Sequence, residues 1–151
     1  MNIYIKRHNP KLIMPGQVPG NDWIDLRAAE DIWIPEGEFA LIDLGVSMDL
    51  PDGYEAHIVP RSSLFKNFGF IQTNHCAIID NSYCSNEDRW KYPVFCLQGR
   101  DFVDGRKGTF VHFNDRICQF RIVENQPQII FREVGNLVGA TRGGFGSTGV
   151  Q

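Results

Sequence analysis

The chain has 151 residues with a formal net charge of −3, 42% hydrophobic and 22% charged side chains. That length leaves no room for a second sizeable core, and that composition excludes a disordered chain. The mild acidity excludes bulk electrostatic capture of DNA or RNA, so no direct nucleic-acid partner is expected, whereas an anionic small molecule is admissible wherever cations gather locally.

In chain order, MNIYIKR (1–7) alternates apolar and polar residues as a half-buried strand does. DIWIP (31–35), FALIDLGVSMDLP (39–51), YEAHIVP (54–60) and GFIQTNHCAIID (69–80) follow. Then come YPVFCLQ (92–98), GTFVHF (108–113), RICQFRIV (116–123) and QIIFREV (128–134). These runs are short and rich in Val, Ile, Phe and Tyr, and they are punctuated by Gly, Pro, Asn and Asp, which is strand chemistry. Pro51-Asp52-Gly53 is a turn signal. One helix is expected over SSLFKNFG (62–69), with Ser62 as N-cap and Gly69 as its stop. The expected fold is all-β: a distorted jelly roll or β-barrel of short strands with one short helix. Residues 1–141 form the barrel domain, and 142–151, inside the glycine-rich tail GATRGGFGSTGVQ, form a flexible C-terminal arm.

The four cysteines, at 76, 84, 96 and 118, have neither CxxC nor zinc-finger spacing, and Cys76 and Cys118 read as small buried hydrophobes. MNIYIKRHNP lacks the apolar stretch of a signal peptide, and no apolar run approaches the roughly 20 residues of a membrane helix. A reducing cytoplasm and no membrane contact are expected.

Several segments carry chemistry. PRSSLFKNFG places Arg61 and Ser62 between a strand and a helix start, where N–H groups and hydroxyls can cradle a phosphate; a plain helix cap beside a surface Arg would look the same. RGGFGSTG (142–149) is a second candidate cradle, with Phe145 as a ring able to stack on a base; a loose terminus is the alternative. In NDRICQF, Arg116 and Gln119 lie three apart, so a regular strand turns them to opposite faces, one bracing the structure and one reaching a ligand. CAIID reads as a buried strand ending in Asp80, whose hairpin could present Asn74 to a planar ligand with Asp80 and Tyr83 at its edge; the alternative is a turn Asp.

Taken together, GNDWIDLRAAED (20–31), PRSSL (60–64), NHCAIIDNSY (74–83), NDRICQ (114–119) and RGGFGSTG (142–149) resemble the five motifs of the trimeric dUTPases, over nearly the whole chain. IIDNSYC and the long connection after it resemble the dUTPases of Gram-positive bacteria and their phages. The resemblance implies hydrolysis of dUTP to dUMP and pyrophosphate, with Asp80 orienting and deprotonating a water that attacks the α-phosphorus. It implies that Asn74, Ile78 and Ile79 read uracil and that Tyr83 packs against the deoxyribose. Arg61, Ser62, Ser63 and Gln119 would meet the phosphates, Arg142 would clamp them, and Phe145 would lid the base while Gly146, Ser147 and Thr148 close over the triphosphate. Asp25 would hold Mg²⁺ through water. The implied assembly is a homotrimer with shared active sites, each closed by a C-terminal arm.

The sequence departs from the family pattern where Ser63 replaces a glycine, Ser82 an acid and Ala77 a glycine, and Arg142 lies only three residues before Phe145. CSNEDRWKYP (84–93) is longer than the usual connection and suggests a surface for a regulatory protein partner if the chain is phage-derived. Two other readings stay open: a dCTP deaminase-type enzyme on the same fold, for which Glu87 is the acid available after Tyr83, and a non-catalytic regulatory binding protein.

Overall fold

The computed structural model describes residues 1–141 and Gly143. Its strands are β1 (Tyr4–Arg7), β2 (Ile24–Arg27), β3 (Ile32–Pro35), β4 (Phe39–Asp43), β5 (Val46–Asp49), β6 (Tyr54–Pro60), β7 (Phe70–Gln72), β8 (Ala77–Ile79), β9 (Lys91–Cys96), β10 (Asp101–Val103), β11 (Arg106–Val111) and β12 (Arg116–Glu124). One helix, α1 (Leu64–Phe68), lies between β6 and β7. All pairings are antiparallel and form four small sheets, ordered β1-β5, β10-β11-β3, β2-β12-β6-β8 and β4-β9-β7. This is the all-β jelly-roll barrel expected.

The chain switches repeatedly between sheets, and glycine makes two of the switches possible. FALIDLGVSMDLP is not one strand. It breaks at Gly45, whose φ is +65° and where a Cβ would lie 2.5 Å from the Ala29 Cβ. β4 and β5 therefore join different sheets. Gly69, at φ +68°, ends α1 by donating its N–H to the Phe65 carbonyl at 2.8 Å. Its own carbonyl accepts from Leu97 and Gln98, at 3.0 Å each, and a side chain there would collide with the Gln98 carbonyl.

The core collects Leu26, Ile34, Ile42, Leu44, Ile58, Val94, Ile117 and Phe120 around Trp90 and Tyr92, both fully buried. Trp90 meets Phe120 edge-on at 5.5 Å, an arrangement worth about 0.5–1.5 kcal/mol beyond area burial. The Pro51–Gly53 turn forms as expected, with the Tyr54 N–H on the Pro51 carbonyl at 3.2 Å. No helix is long and apolar enough to cross a membrane among the described residues.

Four local expectations are corrected. Ser62 is not the helix cap: Ser63 occupies that position, without a side-chain capping bond, and the helix has only five residues. β8 is not a buried strand but the edge of its sheet, with Ile78 60% exposed. Cys118 is buried but Cys76, which precedes that edge strand, is only half-buried. QIIFREV forms no strand: among the described residues no segment pairs with it after β12 ends at Glu124. Its Ile129, Ile130 and Phe131 stay exposed.

Candidate active site

The segment from β7 to Tyr83 folds back along β6. Pairing of Ala77–Ile79 with Ala56–Ile58 holds β8, and Asp80 follows directly. Asn81 Nδ2 donates to Asp52 Oδ1 at 2.8 Å, tying the Asp80 turn to the Pro51–Gly53 turn. A cleft of about 530 Å³ opens here, lined by Asn74, Ile78, Ile79, Asp80 and Tyr83, the five residues expected to read base and sugar and to supply the base catalyst. Ala77 and Ser82, two of the departures from the family pattern, line it too, as do Leu41, Arg89, Trp90, Lys91 and Pro93, which the sequence did not single out.

Asp80 is exposed at the rim. Its Oδ1 accepts the Ser82 N–H at 2.9 Å and the Ser82 hydroxyl. These donors, the hydroxyl first, hold the Asp80 carboxyl below the usual carboxylate range. The group is therefore an ionised acceptor at neutral pH, as a base for water must be.

A second cleft, of about 570 Å³, lies on the outer face of β2 and β12 and contains Asp22, Asp25, Arg61, Ser62, Arg116 and Gln119. Asp25 is its organising group. Arg61 Nε donates to Oδ1 at 2.8 Å and Arg116 Nη1 to Oδ2 at 3.4 Å, so one carboxylate aims two guanidinium groups. Asp22 is engaged by Arg121 at 3.4 Å. The cleft thus keeps an excess of positive charge for an anion. Gln119 Nε2 donates to the Pro60 carbonyl at 3.2 Å, leaving its second N–H available.

Arg116 and Gln119 do not face opposite ways. Between Arg116 and Cys118, β12 advances two residues while β2 moves one, from Arg27 to Leu26. This β-bulge swings Arg116 to the Gln119 side. Arg116 is the cation that strand alternation hid.

Ser63 lines neither cleft; its hydroxyl accepts from Arg61 Nη1 at 3.4 Å. A third cleft, of about 460 Å³, includes Arg61, Ser62 and Asn74 and so runs between the other two. The first and second share no residue. Arg142, Phe145, Gly146, Ser147 and Thr148 lie outside the described residues.

No group of three or more His, Cys, Asp or Glu is placed to cage a metal among the described residues. Mg²⁺ needs no such cage: it keeps several waters and binds through one or two carboxylates and the substrate's phosphates. Asp25 fits that pattern through water, since both its oxygens already accept from arginines.

A family model described as dUTPase matches residues 11–149. The chain is 46% identical over 151 residues to the SPbeta prophage-derived deoxyuridine 5'-triphosphate nucleotidohydrolase YosS of Bacillus subtilis (strain 168), covering 100% of both chains. It is 33% identical over 152 residues to the deoxyuridine 5'-triphosphate nucleotidohydrolase of Streptomyces avermitilis, covering 99% of this chain and 81% of that protein. Among solved structures, a mutant dUTPase of Staphylococcus bacteriophage 80alpha with dUpNHpp superposes at a TM-score of 0.79, with 18% identity and 99% of each chain covered. The dUTPase of phage phi11 of S. aureus, solved to visualise a species-specific insert, superposes at 0.75, with 16% identity, covering 93% of this chain and 100% of that one.

Proposed function

The chain belongs to the dUTPase family and is a dUTP diphosphatase, and we propose that it hydrolyses dUTP to dUMP and pyrophosphate with Asp80 as the general base. The observation that carries the assignment to Asp80 is its place: an ionised carboxylate at the rim of a cleft walled by Asn74, Ile78, Ile79 and Tyr83.

The uracil ring enters between Asn74 and the β8 backbone, where an exposed edge strand offers unpaired N–H and C=O groups to a planar partner. The deoxyribose stacks on Tyr83. Asp80 takes a proton from a water whose oxygen bonds to the α-phosphorus, and the bond from that phosphorus to the bridging oxygen breaks, releasing pyrophosphate. Arg61, Arg116, Ser62 and Gln119 hold the triphosphate, with Ser63 bracing Arg61. Asp25 would hold Mg²⁺ through water, and the ion would supply charge to offset what the arginines leave. Arg142, Phe145, Gly146, Ser147 and Thr148 close the site, a reading that rests on the GGFGSTG sequence alone.

The active unit is a homotrimer. Two features support it. Among the described residues, the cleft holding Asp80 and the cleft holding the arginines share no lining residue and are joined only by way of the third. Large apolar side chains are also left uncovered, among them Phe39, Leu41 and Ile71 on the β4-β9-β7 sheet and Phe131, Leu137 and Val138 beyond β12. A site assembled from neighbouring protomers brings base pocket and phosphate cleft together. The enzyme works in the reducing cytoplasm, with Cys76, Cys84, Cys96 and Cys118 free. A regulatory protein partner would meet the exposed Asn86 and Glu87 side chains.

Glu87 weighs against the deaminase. Its side chain is 87% exposed and pairs with Lys6 at 3.9 Å, so it lies outside the Asp80 cleft. Purified protein with Mg²⁺ is assayed for pyrophosphate from dUTP, dTTP, dCTP and UTP, and for ammonia from dCTP. Pyrophosphate from dUTP alone is expected. Ammonia from dCTP, or no turnover of any nucleotide, would replace this reading with one of its rivals.

A further inference from the structure

The connection between Tyr83 and β9 is pinned at several points. Ser85 and Asp88 close a turn, with the Ser85 N–H on Asp88 Oδ2 at 2.8 Å. Lys6 Nζ and the buried Ser47 hydroxyl both donate to the Asn86 carbonyl, at 3.4 Å each. Arg89, two residues before β9, makes the contacts that reach the cleft. Arg89 Nη2 is paired with the Asp43 carboxylate at the end of β4, and its Nε is buried without a hydrogen-bond partner among the described residues. Asp43 is itself held, its Oδ1 accepting the Gly45 N–H at 2.7 Å. The Arg89 carbonyl accepts the Tyr83 hydroxyl at 3.3 Å, and both residues line the Asp80 cleft.

We propose that Arg89 is a positioning residue for sugar selection: clamped to Asp43, it holds Tyr83 upright as the wall of the deoxyribose pocket. The inference rests on the reading of Tyr83 given above. A wall excludes a 2′-hydroxyl only if it cannot yield. Tyr83 is 42% exposed, so core packing alone does not fix its ring. Its hydroxyl ends on a carbonyl whose place is set by an ion pair to a strand, in a corner where the Trp90 N–H bonds the Val46 carbonyl at 2.8 Å and the Leu44 N–H bonds the Trp90 carbonyl at 3.0 Å. Arg89 is suited to this because its planar guanidinium forms directional bonds that a lysine ammonium does not. Loosening the clamp lets the ring move aside and admits UTP, since selectivity is a difference between two substrates at one wall.

The test measures kcat/KM for dUTP and for UTP in the wild type, Arg89→Gln, Arg89→Lys, Tyr83→Phe and Arg89→Gln/Tyr83→Phe, with the melting temperature of each. Tyr83→Phe removes the hydroxyl bond and leaves the ion pair intact, so it keeps the test independent of folding. The UTP:dUTP ratio is expected to rise about tenfold in Arg89→Gln and in Tyr83→Phe, less in Arg89→Lys, and no further in the double variant. A ratio unchanged in Arg89→Gln while the melting temperature falls would make Arg89 a stabilising residue only and overturn the proposal. So would multiplicative effects in the double variant. A wild type with no dUTP turnover would remove the underlying reading instead.

Discussion

Ser82 gives Asp80 two hydrogen bonds to one oxygen, from its backbone N–H at 2.9 Å and from its hydroxyl. The family pattern has an acid at this position, which could not donate from its side chain when ionised. The substitution therefore changes the proton affinity of Asp80 rather than merely the surface charge.

Asp80 is held below its usual range, led by the Ser82 hydroxyl, so the carboxylate is present above that lowered value and activity is lost as pH falls through it. Ser82→Ala removes the leading cause and raises the Asp80 pKa. The acid limb of kcat/KM should then move to higher pH, while the rate on the plateau changes little. A pH–rate profile of both proteins checks this, and an acid limb moving downward would contradict it.

Asp80→Asn keeps the shape of the rim but not the carboxylate proposed as the base. Turnover of dUTP should fall by about 10²–10⁴-fold, the usual worth of general-base help. Binding of a non-hydrolysable dUTP analogue, followed by calorimetry, should persist. Loss of both together would make the residue structural.

Arg116→Ala separates binding from stability. The Arg116 side chain is 51% exposed, so its pairing with Asp25 contributes little to folding and the stability change should stay within about 0.5 kcal/mol. If it faces phosphate, KM for dUTP should rise about tenfold, the loss of one charge-assisted bond. Denaturant melts and steady-state kinetics measure the two effects.

Deleting residues 142–151 removes Arg142, Phe145, Gly146, Ser147 and Thr148 together. The reduction in kcat should be severe, and sedimentation should still report the mass of a trimer. An unaffected rate would show that these residues do not close the site.

Gly69→Ala tests the fold rather than the chemistry. The position combines φ +68° with a collision against the Gln98 carbonyl, so the loss of stability should reach about 2 kcal/mol or more. Thermal unfolding measures it, and a change below about 0.5 kcal/mol would mean that the corner relaxes freely.

Much was legible in the linear chain. Alternating apolar runs and glycine or proline punctuation gave the all-β class, the single short helix and its stop at Gly69, because those signals depend only on neighbours a few residues away. The resemblance to the five motifs pointed to Asp80, Tyr83, Arg61 and Gln119, and the structure places each of them on a cleft. What the tertiary structure decided depends on which strand lies opposite which. Arg116 joins Gln119 because of a bulge against β2, and QIIFREV stays unpaired because no strand among the described residues meets it. Arg89 finds Asp43 across the β4–β9 corner. Alternation tells a residue which face it takes on a regular strand, but register, bulges and long-range ion pairs are set by packing between segments far apart in sequence.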